Sequence, residues 1–224
     1  GMKDAVKVTV TPKPKFSVGE NTTVEFAPGN LYWDGSAFHF EANQWSSADT
    51  WNSSHVSHFK WSDAAIAVTS NYNCSGDLFC ANNFTVAGDS HTWRTLSKAE
   101  WDYLLGTAYP RRANASSLRA WKELDGGTHK GLVILPDGTE NPSTVLGNIT
   151  STEALATHGA VFLPAAGRRF GTGVNDVGSY GYYWSSTPDG SSSAYGVHFY
   201  SEDANTNRYD VYIGNAVRLV RSAS

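Results

Sequence analysis

A chain of 224 residues with 40% hydrophobic side chains, 13% of the total aromatic, is long enough to bury one good core and carry a small appendage. Its net charge of -4 and the lack of any extended Lys/Arg cluster beyond Arg111-Arg112 and Arg168-Arg169 argue against a nucleic-acid partner, and no apolar run approaches a membrane span. Eight Trp, eleven Tyr and ten Phe against one Met favour β structure, while only 17% charged residues leave solubility to Asn, Ser, Thr and Gly, a surface commoner in exported proteins.

In chain order, Gly1-Met2 reads as a scar ahead of a trimmed mature chain, so a removed export signal is expected. Lys7 to Thr11 alternates and then meets Pro12-Lys13-Pro14-Lys15, whose prolines cannot belong to a central strand. Residues 1–15 are therefore expected as a linker, and 16–224 as the domain. Phe16-Ser17-Val18 and Val24-Glu25-Phe26 read as short strands, followed by a turn at Pro28-Gly29-Asn30 and a strand at Phe38-His39-Phe40. Residues 43–93 show no sustained period and are expected as irregular coverage pinned by buried Trp45, Trp51 and Trp61. Within them Cys74 and Cys80 bracket a short polar loop. A disulfide clip is the expectation in an oxidising compartment, two free thiols the alternative. Asn-x-Ser/Thr triplets begin at Asn21, Asn52, Asn73, Asn83, Asn114 and Asn148; they matter only in a eukaryotic secreted chain.

Ser97-Lys98-Ala99-Glu100 is a capping box, with Trp101, Leu104 and Leu105 at helical spacing and Gly106 as the stop. A second helix is predicted over about Thr152 to His158, closed by Gly159. Leu132–Leu135 and Val161–Leu163 are continuous apolar runs halted by proline, which predicts buried strands. Short helices among many short strands give an α+β class. Toward the end, Gly181–Thr187 and Ala216–Arg221 read as aromatic and β-branched core strands. Trp184, Val217 and Leu219 are expected in the core, with Arg218 and Arg221 satisfying carbonyls or carboxylates.

Between those runs, the 27 residues from Asp189 to Asn215 hold four Tyr, four Ser, three Asn and three Asp. That chemistry resembles antibody loops, where Tyr gives contact area at low entropic cost and Ser and Asn adapt their hydrogen bonds. A loop-rich binding surface is predicted here, with Tyr195, Tyr200, Tyr209, Tyr212, Asn205, Asn207 and Asn215 as its ligand-binding residues.

Several segments together resemble a known family. Trp93-Arg94-Thr95-Leu96 leading into Glu100-Trp101 is similar to the Arg-Leu-Pro-x-x-x-Glu-Trp element of the sulfatase-modifying-factor branch of C-type-lectin-like folds. Gly167-Arg168-Arg169, Gly178 through Thr187 and Val217-Arg218-Leu219-Val220-Arg221 resemble later signatures of the Fibrobacter succinogenes major-domain type. Phe16-Ser17-Val18 through Gly29-Asn30-Leu31 is similar to openings of surface proteins from gut Bacteroides. The resemblance implies a C-type-lectin-like fold of small sheets, two or three short helices and long irregular loops. It also implies export to the bacterial surface or periplasm, with lipid anchoring through the removed signal.

The departures shape the function. No cysteine follows Cys80, so the copper-dependent oxidation of the formylglycine-generating enzymes is not expected. Glu140-Asn141-Pro142 has the wrong order for the calcium-dependent sugar motif, and Asn175-Asp176 follows Val174 rather than Trp. Asp203-Ala204-Asn205-Thr206-Asn207 begins like a calcium loop, but Arg208 and Gly214 at its sixth and twelfth positions exclude an EF-hand. A looser calcium site or an ordinary Asn/Asp turn remains. His55 and His58 could share a metal by spacing, yet no thiolate or carboxylate cluster accompanies them, and a polar loop is expected. Gly171-Thr172-Gly173 is a turn, and Ser191-Ser192-Ser193 with His198 and Asp203 lacks a nucleophile elbow. The sequence thus predicts a non-catalytic, cofactor-free module that binds a glycan or a host or bacterial surface protein. The alternative is a structural component of a surface assembly, with Lys7–Lys15 as its connector.

Overall fold

The computed structural model describes residues 13–61 and 86–224. Strands β1 (Phe16–Gly19) and β2 (Thr22–Phe26) form an antiparallel hairpin that turns Phe16, Val18 and Val24 inward. Alternation of buried and open side chains is the strand signature, and it holds along β1; in β2 both Val24 and Glu25 are buried, Glu25 paired with Arg221. The short β3 (Leu31–Trp33) and β4 (Phe38–Phe40) pair next. Helix α1 (Lys98–Leu105) begins at the capping box: Glu100 N–H donates to Ser97 Oγ at 3.2 Å and Ser97 N–H to Glu100 Oε2 at 2.8 Å. Both free helix-end donors are thereby satisfied, and Gly106 ends the helix in the left-handed region at φ 74°.

A 3-10 turn (Ala115–Leu118) leads into β5 (Arg119–Leu124) and β6 (His129–Ile134), then α2 (Pro142–Asn148), α3 (Thr152–Thr157) and β7 (Val161–Pro164). β6 and β7 are the two apolar runs, and they pair within the sheet β5-β6-β7. A small hairpin, β8 (Arg168–Phe170) and β9 (Gly173–Asn175), turns at Gly171-Thr172. It precedes β10 (Gly181–Asp189), β11 (Ser193–Phe199) and β12 (Ala204–Asp210), which form one antiparallel sheet in that order. Last, β13 (Val220–Ser222) lies along β2, and Arg221 Nη2 reaches Glu25 Oε2 at 2.9 Å.

Over the described residues the result is a mixed α+β architecture of small antiparallel sheets and three short α-helices. Among the described residues no helix is long and apolar enough to cross a membrane. Three apolar clusters hold the sheets together. One gathers Phe59, Trp61, Trp184, Val217 and Leu219; a second Trp101, Tyr183, Val197 and Phe199; a third Val133, Leu135, Leu155 and Phe162.

Buried Arg218 links them. Its Nε donates to Asn30 Oδ1 at 2.9 Å, and its Nη2 to the carbonyls of Gln44 and Phe162 at 2.9 and 3.1 Å. Asn30 in turn donates to the Tyr183 hydroxyl, which donates to the Pro164 carbonyl at 2.8 Å. Burial pulls the Arg218 guanidinium down to about 10, still cationic at neutral pH.

Exposed residues 13–15 touch the domain at two points: Asp137 N–H donates to the Lys15 carbonyl, and a side chain at Gly159 would collide with Pro14. Three expectations change. Trp61 is fully buried as expected, but Trp45 and Trp51 are only half-buried. Ala216–Leu219 is not regular strand; it runs beside Tyr182–Trp184 and beside Ala27 and Leu31 through a single bridge and backbone bonds. The predicted loops of Asp189–Asn215 are largely the two strands β11 and β12. Cys74 and Cys80 lie outside the described residues.

Candidate functional site

Register decides which side chains share a face, because a strand alternates with period two. Tyr182 pairs with His198 and His198 with Asn205; Trp184 pairs with Gly196 and Gly196 with Asn207; Ala194 pairs with Tyr209. These residues form one face of the β10-β11-β12 sheet. Tyr183, Val197 and Thr206 form the other, with Tyr195 opposite Arg208. That second face is closed by α1, where Asp102 accepts from Lys98, Thr107 and Thr206 at 2.6, 2.5 and 2.7 Å. Burial works to raise the Asp102 carboxyl, but those three donors outweigh it and hold it below the usual range.

The first face opens at one end into an aromatic shelf. Tyr180 stacks on Tyr182 at 5.9 Å between centroids and leans on Tyr200 at 5.2 Å. His198 lies 6.4 Å from both Tyr182 and Tyr200, so the four rings form a closed quartet. Tyr209 supports it from below, edge-on to Tyr182 at 5.7 Å, with its hydroxyl 3.0 Å from His198 Nδ1. Burial pushes His198 down, favouring the neutral ring that can accept from Tyr209. Arg168 lies over Tyr182 at 4.7 Å and Phe170 at 5.1 Å, and its Nε is 3.4 Å from Asp176. Tyr180, His198, Tyr200 and Arg168 are partly exposed; Asn205 and Asn207 beside them are exposed.

Of the seven predicted ligand-binding residues, Tyr200, Asn205 and Asn207 are brought together on this shelf. Tyr209 is on the correct face but buried as its support. Tyr195 is on the opposite face, 5.4 Å beneath the Lys98 ammonium, because an odd position on β11 points toward α1. Tyr212 is in the turn after β12, its hydroxyl donating to Asp210 at 3.0 Å. Asn215 is fully buried, paired to Phe59 through its backbone.

The sequence reading missed Tyr180, Tyr182, His198 and Arg168. The available signal was the period-two pattern of Tyr195, Val197 and Phe199, which sets His198 on the reverse face.

The other chemical candidates separate in space. Asp203, Asn205 and Asn207 do not form a calcium loop or a run of turns. Each accepts through Oδ1 from the next backbone N–H, of Ala204, Thr206 and Arg208, at 2.8, 3.0 and 2.8 Å. His58 is buried with Nε2 2.7 Å from the Ala166 carbonyl, while His55 bonds Glu41, so they do not converge on one ion. Ser193 and His198 occupy opposite faces of β11. No protein-family model, curated protein or solved structure matches this chain.

Proposed function

We propose that the chain is a non-catalytic, exported bacterial surface module of C-type-lectin-like fold that binds a glycan on the aromatic shelf. The quartet of Tyr180, Tyr182, His198 and Tyr200 beside exposed amides carries the reading. Aromatic faces suit the C–H faces of a sugar ring, and the polar edge of each ring can still hydrogen-bond. The Asn205 and Asn207 oxygens are engaged by backbone N–H groups, which leaves their NH2 ends to donate to hydroxyls. Arg168 and Asp176 add a donor and an acceptor at the rim. A protein ligand would call for a flatter and larger apolar patch. Among the described residues the only exposed large hydrophobics are Tyr109 and Val177, which supports the glycan over the protein.

A glycan array probed with the wild-type protein, Tyr200→Ala and Tyr195→Ala tests this. The expected result is binding to a defined glycan subset, weakened about ten-fold or more by Tyr200→Ala, the loss of one good aromatic contact. Tyr195→Ala, on the closed face, is expected to leave it unchanged. Glycan binding indifferent to Tyr200→Ala overturns the site. A protein ligand with no glycan bound overturns the ligand class.

A further inference from the structure

A second concavity lies away from the quartet, where the segment 41–55 passes the β5–β6 turn and the loop before β10. It is a groove of about 470 Å³, within the range of roughly 300–1,000 Å³ typical of small-molecule sites. Glu41 forms part of its lining and is nine-tenths buried. Its backbone is pinned: Glu41 N–H donates to the Asn30 carbonyl at 2.8 Å, and the Glu41 carbonyl passes so close to Gly29 that any side chain there would overlap it. Three residues on, Gln44 holds the segment to the edge of β7 by accepting from Phe162 N–H and donating to the Ala160 carbonyl.

One Glu41 oxygen lies 2.5 Å from His55 Nε2, while the other has no protein partner among the described residues. His55 is itself fixed, its ring stacked on Tyr32 at 3.9 Å and 11°. That oxygen is not sealed off in the interior, so whatever occupies the groove can donate to it. The groove also brings ligand-facing groups of several kinds together. Trp45 and His129 set two aromatic rings 5.9 Å apart, and Asp49 and Lys130 supply one acceptor and one donor.

We infer that this groove is a second ligand site, for a neutral polyhydroxylated ring such as a single sugar residue. The free Glu41 oxygen would accept from a ring hydroxyl, and Trp45 would face the ring's C–H surface. A simple cation fits less well, because Lys130 shares the groove and His55 already faces the carboxylate. A hydroxyl both donates and accepts, which matches a lining where the two roles alternate. The site stands on the groove alone and does not require the shelf.

The test is an NMR titration of the 15N-labelled protein, following Trp indole N–H signals, with Trp45→Ala to assign the Trp45 signal. Glucose, galactose, mannose and N-acetylglucosamine are titrated separately, and choline chloride serves as the cationic arm. At least one sugar is expected to shift the Trp45 signal saturably, with Glu41→Gln weakening it about ten-fold or more, as for loss of a hydrogen bond to a charged acceptor. Tyr200→Ala is expected to leave that titration unchanged even if it abolishes binding on the shelf. The inference fails if no sugar moves the Trp45 signal, or if choline alone does. It also fails if Glu41→Gln binds as tightly as wild type, or if Tyr200→Ala removes the shift.

Discussion

Tyr182 and Tyr183 are neighbours in the chain and belong to different worlds. Tyr183 is fully buried, stacked on Phe199 at 5.7 Å, and its hydroxyl joins Asn30 to the Pro164 carbonyl. Tyr182 faces the other way, under Arg168 and within the quartet. One step along a strand exchanges faces, so the same residue type is framework at one position and floor of the proposed binding surface at the next. Composition alone cannot separate the two roles in an aromatic-rich sheet. Pairing register can, because it records which neighbour each ring meets.

The sharpest way to break that contrast is to delete a ring from each face. Tyr183→Ala removes a large buried side chain and leaves the buried Asn30 amide without its acceptor, so a loss of about 4 kcal/mol is expected in urea denaturation. Tyr200→Ala removes a half-buried ring at the rim and is expected to cost about 1 kcal/mol or less. Equal losses would mean that the open face is structural rather than a binding surface.

Two histidines carry the same comparison into pH. His58 lies in the framework, and burial pushes it down to about 4, with the nearby Arg169 acting in the same direction and the Ala166 carbonyl opposing them. The unfolded chain binds a proton at His58 below about 6.5, and the folded chain refuses it until about 4. The unfolded state therefore holds more protons in that window, and stability falls as pH drops through it, by up to about 3 kcal/mol. His58→Gln is expected to flatten the stability curve between those pH values, measured by urea melts at several pH values. His198, only half-buried at the shelf, shifts in the same direction. His198→Gln flattening the curve more than His58→Gln would contradict the contrast in burial.

Where the chain's local chemistry and its packing agree, the sequence alone was enough. The capping box at Ser97–Glu100, the apolar runs of β6 and β7 and the roles of Arg218 and Arg221 are legible without coordinates. Helix α2 is not, since Pro142 reads as a breaker although proline is well suited to a first helical turn. The strands β11 and β12 are hidden because Ser, Asn and Asp signal turns. What makes β12 a strand is its ladder to β11 and the neighbours that cover it, information that belongs to the tertiary structure. Composition singles out Tyr200, Asn205 and Asn207, which the fold gathers on one shelf, but placing Tyr180, Tyr182 and His198 beside them needs the register.

The smallest predicted effect concerns the open edge of that sheet. Tyr200 N–H donates to the Asp203 carbonyl and Val211 N–H to the Ser192 carbonyl, which sets the phase of the ladder. In that phase the N–H groups of Ala204, Thr206 and Arg208 face outward from β11, along an edge that no further strand of the described residues covers. Asp203, Asn205 and Asn207 each cover the next of these donors with a side-chain oxygen. Exposed strand edges invite pairing with another chain, and side chains that occupy the donors oppose it. Asn205→Ala with Asn207→Ala is expected to lower stability by about 1 kcal/mol in total, at roughly 0.5 kcal/mol for each solvent-facing bond. The same pair is expected to increase concentration-dependent self-association in sedimentation velocity. A double variant that self-associates no more than wild type and is equally stable would show that these side chains do not guard the edge, and would make the shelf's polar border independent of the strand that carries it.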